Sequence, residues 1–124
     1  MQLTFWIQKN LNILLKIAAL QAESENYNKC ISICQEAIKI GIEKETDFKL
    51  LTSNPFVMMG KAYRKSGDLK NAKITYENAL KETTKLQKSK VQLELKKIEK
   101  MKKLEIELDN EYVLATPGGK AFTS

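Results

Sequence analysis

Apolar positions recur at helical spacing along most of the chain. Leu11, Leu14, Leu15, Ala18, Ala19 and Ala22 fall three and four apart, which predicts a helix from about Thr4 to Ala22 with one buried face. Ile31, Cys34, Ala37 and Ile38 predict a second from about Tyr27 to Ile40, closed by Gly41. A third segment runs from about Glu45 to Lys65. Pro55 interrupts it, so a break is expected at Ser53-Asn54 with Ser53 as the new N-cap. A fourth helix, behind Gly67-Asp68, is expected from about Leu69 to Thr83. A fifth begins near Lys85 and continues to about Glu111, with Val91, Leu95, Ile98 and Met101 on one stripe, before Thr116-Pro117-Gly118-Gly119 ends order. Gly and Pro are scarce and β-branched runs short, so the fold class is all-α.

Two of these helix pairs carry related side chains. Phe56-x-x-Met59-Gly60-x-x-Tyr63, followed by Ala72-x-x-x-Tyr76 and Ala79, resembles the tetratricopeptide-repeat (TPR) signature W-x-x-L-G-x-x-Y…A-x-x-x-F. Small residues are needed where two antiparallel helices approach, which predicts contact of the pairs at Ala18 with Cys30 and at Gly60 with Ala72. Gly67 suits the intervening turn, where φ is positive. A weaker copy reads Leu14-x-x-Ile17-Ala18-x-x-Gln21, then Tyr27, Cys30-x-x-x-Cys34 and Ala37. Cys30 to Ala72 and Ala37 to Ala79 are both steps of 42 residues, whereas the plain repeat has a period of 34. The surplus falls in the segment from Gly41 to Leu51 and predicts roughly two added helical turns.

Composition narrows the chemistry. A chain of 124 residues is the size of one domain. Its first residues lack a basic start and are interrupted by Lys9, Asn10, Asn12 and Lys16, so neither a signal peptide nor a membrane span is expected, and the localisation expected is cytoplasmic. There is no His, and Cys30 and Cys34 are the only cysteines, too few for a zinc site; both are expected to pack as small apolar residues. Gly118-Gly119 opens no helix, so no phosphate loop is expected. No enzyme activity and no cofactor are expected. Between Lys85 and Lys103, eight lysines stand against Glu94 and Glu99, matching the net +6 of the whole chain. A basic helix suits polyanions, but this one has no Arg and no interleaved aromatics, which argues against nucleic acid and for a solvated capping helix.

The run from Asn26 to Gly41, the connection ending Asp47-Phe48-Lys49-Leu50 and the run Gly60-Lys61-Ala62-Tyr63-Arg64-Lys65-Ser66-Gly67-Asp68-Leu69-Lys70 are similar to the central TPR domain of the heat-shock organising co-chaperones, the Hop/Sti stress-inducible family. The likeness extends from about Leu11 to Glu111 and includes the long spacing. It implies a TPR domain over 1–112 (first repeat about 9–41, second 53–84, capping helix 85–112) and a polar tail over 113–124. It also implies a helical-hairpin α-solenoid without activity of its own that binds acidic C-terminal tails of heat-shock chaperones. The family's carboxylate clamp is only partly represented: Lys16 stands where the family has Asn, and Asn54 (or Ser53) and Met58 where it has Lys and Arg. The expected peptide-binding residues are Asn12, Lys16, Asn54, Met58, Lys61, Arg64 and Lys65, with Ala19 beside them. The alternative is a divergent or truncated TPR scaffold for self-assembly or another protein partner, without chaperone-tail binding. Leu3, Phe5, Trp6 and Ile7 make the first helix apolar at its outer end, so a homodimer through that helix is expected.

Overall fold

The computed structural model describes the backbone of residues 2–115 and the side chains of 6–107, 86 excepted. The described residues form α1 (Gln2–Glu23), α2 (Tyr27–Glu43), a short 3₁₀ turn (Phe48–Leu50), α3 (Pro55–Lys65), α4 (Leu69–Ala79) and α5 (Lys85–Ala115). The architecture is all-α. α1 pairs with α2, α3 with α4, α3 lies on α2, and α5 lies on α4, so each helix packs chiefly on its sequence neighbours, as in a helical-hairpin solenoid.

The 42-residue step is visible in the backbone. Glu25 and Gly67, 42 apart, both have positive φ, 62° and 92°, and the next residue, Asn26 or Asp68, precedes the second helix of its pair. Asp68 is the working cap: its carboxylate accepts from the Asn71 backbone N–H at 3.1 Å and from the Asn71 side-chain amide at 2.7 Å. Those two bonds hold its carboxyl below the usual aspartate range.

Two apolar clusters follow the two pairs. The first gathers Leu11, Leu15, Ala18, Cys30, Ile31, Cys34 and Ala37 with Phe48, Leu51 and Ala62; the second gathers Ala72, Tyr76, Ala79, Val91 and Ile98. Both cysteines are buried and free, and burial pushes both thiols up. On α5 the buried stripe holds at Val91 and Ile98 and thins at Met101, which is exposed.

The segment between the pairs departs from expectation. Gly41 does not end its helix. α2 runs on to Glu43, and Gly41 instead makes room for the Phe48 ring, which would lie within 2.6 Å of any Cβ there. The added residues are three more residues of α2, a turn through Glu45 at φ 53°, and the 3₁₀ turn, rather than two helical turns. Asp47 opens that turn by accepting from the Lys49 N–H, and Phe48 meets Phe56 edge to face at 5.3 Å. A longer helix would carry Phe48 away from Gly41 and lose this plug.

The N-cap of α3 is Asn54, not Ser53. Its Oδ1 accepts from the backbone of Phe56 and Val57 while Pro55 takes the first helical position, where no N–H is required. α4 ends at Ala79, four residues before the expected end, and α5 runs to Ala115, beyond the expected Glu111. At the second pair, the atoms nearest to Gly60 belong to the Tyr76 ring, 2.9 Å from where a Cβ would stand, so the close approach at this glycine is to Tyr76, one turn on from Ala72. The expected polar tail and Thr116-Pro117-Gly118-Gly119 lie outside the described residues.

Candidate functional site

A cavity of about 560 Å³ opens between the first helices of the two pairs and α5. Ala19 and Ala22 line it from α1, Val57, Met58, Lys61, Ala62 and Lys65 from α3, and Gln87, Lys90, Val91 and Glu94 from α5. Lys61, Lys65 and Lys90 are exposed, which leaves their ammonium groups free to meet an anion, while the alanines, Val57 and Met58 supply an apolar lining. Glu23 and Glu94 are the carboxylates at its edge. Glu94 is paired, at 3.5 Å to Arg64 Nε and 3.9 Å to Lys97 Nζ.

The expected site residues divide. Asn54, Met58, Lys61 and Lys65 line the cavity, as does Ala19; Asn12, Lys16 and Arg64 do not. Asn54 is buried, and both ends of its amide are engaged, since Nδ2 also donates to the Glu82 carbonyl at 2.6 Å. It closes the end of the second pair, and its burial and these bonds commit it to the protein rather than to a ligand. Asn12, its counterpart 42 residues earlier, does the same for the first pair: its Oδ1 accepts from the backbone N–H and hydroxyl of Thr52, at 3.0 and 3.1 Å. Asn12, midway along α1, and Asn54, at the start of α3, therefore each tie a first helix to chain that follows the second.

Arg64 turns to Glu94 and Tyr76, which fastens α3 to α5. Burial, with Glu94 nearby, pushes the Tyr76 phenol up to about 12, against the pull of Arg64. Lys16 is exposed on α1, away from the cavity. The far wall from α5, with Lys90 and Glu94, was not among the expected site residues. Its signal was the buried stripe itself, because Lys90 and Glu94 flank Val91 by one and three positions.

Known proteins resemble the chain in sequence and in fold. The chain is 35% identical over 74 residues to the heat shock protein sti1 homolog of Schizosaccharomyces pombe, and 34% identical over 76 residues to heat shock protein STI1 of Saccharomyces cerevisiae. It resembles a Hop/Sti TPR domain. The matched segments are 60% and 61% of this chain but only 12% and 13% of those relatives, so the chain spans a small part of their length. The solved N-terminal domain of stress-induced protein-1 (STI-1) from C. elegans superposes with a TM-score of 0.62 over 72% of this chain and 67% of that one, at 24% identity, which establishes a common fold. No known family model matches the chain. Among the described residues, no group of three or more His, Cys, Asp and Glu side chains is placed to hold a metal ion, and no helix is long and apolar enough to cross a membrane.

Proposed function

We propose that this domain is a protein-interaction module of co-chaperone type, without chemistry of its own, whose cavity takes the acidic C-terminal peptide of a partner, a heat-shock chaperone tail being the partner class that the resemblance implies. The observation that carries the reading is the convergence of Lys61, Lys65 and Lys90 over an apolar lining. Three ammonium groups match carboxylates, and the lining matches an apolar side chain beside them. With Asn12, Asn54 and Arg64 engaged inside the protein, the grip is cationic and loosely directed. Binding is therefore expected to be weak and to fall with added salt.

The test compares an acidic peptide ending in two carboxylates with the same peptide amidated, by fluorescence anisotropy. Lys61→Ala and Lys65→Ala should each weaken binding about two- to fivefold, whereas Lys16→Ala should change it less. Equal affinity for the amidated peptide, or a larger loss at Lys16 than at Lys61, would put the site elsewhere. Self-association through α1 is the other reading, favoured by the exposed Trp6, Ile13, Ile17 and Leu20, and sedimentation of the chain as a monomer would exclude it.

A further inference from the structure

Arg64 is the only arginine among the 21 basic residues of the chain, and it is held at the back of the cavity. Its Nε lies 3.5 Å from Glu94 Oε2, and the other oxygen of that carboxylate lies 3.9 Å from Lys97 Nζ. Glu94 lines the cavity and Arg64 does not, although their side chains meet. Seen from the opening, the guanidinium therefore stands behind the carboxylate.

The pair is close but poorly made. Nε and Oε2 are both shielded from solvent, and neither has a hydrogen-bond partner among the described residues. A charge-assisted bond closes to about 2.7–2.9 Å, so this contact joins two charges without the bond that would offset their burial. The two side chains remain 21 and 24% exposed, so neither is sealed into the core. Such a partner is one that a better placed carboxylate can displace.

The other cations of the cavity leave a task for Arg64. Lys61, Lys65 and Lys90 attract an anion, but an ammonium group fixes no plane. A guanidinium offers parallel N–H groups to both oxygens of one carboxylate. We infer that Glu94 is a built-in competitor, a role that rests on the reading of the cavity as a site for acidic C-terminal peptides. Its carboxylate occupies the place beside Arg64 that a peptide carboxylate would take. The directed donor of the site is thus present but covered, and Glu94 sets how tightly and how selectively the cavity takes a carboxylate.

The experiment titrates the full chain with the acidic peptide ending in two carboxylates and with its amidated form. Anisotropy gives the affinities, and the Arg64 Nε–H signal in ¹⁵N NMR spectra, unambiguous with one arginine, reports the guanidinium directly. Glu94→Gln should tighten binding of the carboxylate peptide about tenfold, and of the amidated one by about twofold at most. Glu99→Gln removes the same charge from α5 outside the cavity and should tighten binding by about twofold at most. Adding Arg64→Gln to Glu94→Gln should cancel the gain, whereas adding Lys97→Gln, of equal charge, should keep most of it. In the Glu94→Gln chain, which keeps Arg64, the Nε–H signal should move as the carboxylate peptide binds. Equal gains from Glu94→Gln and Glu99→Gln, or an Arg64 signal unmoved at saturation, would overturn the competitor role and leave the acidic-peptide reading standing. If no variant prefers the carboxylate peptide to the amidated one, that reading falls, and the competitor role with it.

Discussion

Tight places and strained ones call for opposite substitutions. Gly60 faces a fully buried Tyr76 ring across 2.9 Å, and Gly41 faces Phe48 across less. Gly60→Leu should overpack the second pair and cost about 1–3 kcal/mol, seen as a lower denaturant midpoint; a melt like that of the parent would contradict this packing. Glu25 is the reverse case. It holds φ 62° at the position where the second repeat has Gly67. The left-handed region costs a side-chain-bearing residue about 1–2 kcal/mol, and a glycine gives back about 0.4–1 kcal/mol through the unfolded chain. Glu25→Gly should therefore stabilise by roughly 0.5–1 kcal/mol. The thiols give a third check: with both cysteines buried and raised, iodoacetamide at pH 8 should label the native chain far more slowly than the unfolded one.

Among the elements, α4 carries two groups whose titration the fold shifts, Asp68 at its cap and Tyr76 within it. The Asp68 carboxyl is depressed in the folded state, so its contribution is present above the ordinary aspartate pKa and lost as pH falls through the lower, folded value. Asp68→Asn retains a good cap and should flatten the acid limb of the stability curve, which chemical denaturation between pH 6 and 2 measures. At the other end, Tyr76→Phe should delete the component that titrates near 12 in absorbance at 295 nm. Ile98 is wholly buried where α5 meets the second cluster, so Ile98→Ala should cost about 2–5 kcal/mol. These contacts explain why α5 was legible as a cap: its stripe at Val91 and Ile98 has a period that only a helix satisfies. The segment from Gly41 to Asn54 was not legible as turns. A glycine reads as a helix stop, yet Gly41 is needed for an aromatic plug from seven residues later, a tertiary contact without local signal.

For the whole molecule, the repeat step of 42 residues carried the fold, because small residues at close approaches and an αL residue between helices recur at one offset. The candidate site was less legible. Asn12 and Asn54 sit where helix periodicity puts a concave face, and only the tertiary structure reveals that their amides close the ends of the pairs. Sequence position likewise gave no reason to bring Lys90 opposite Lys61 and Lys65, since α5 returns across the opening only after α4 has turned the chain. That return yields a prediction specific to the cavity. If Lys90 contributes from the far wall, Lys90→Glu should weaken binding of the acidic peptide more than Lys103→Glu, although both change the net charge equally. A general field effect would make the two substitutions alike, and anisotropy titrations at two salt concentrations distinguish the cases. Equal losses that vanish together in salt would assign the attraction to the basic helix as a whole and leave the cavity without a role.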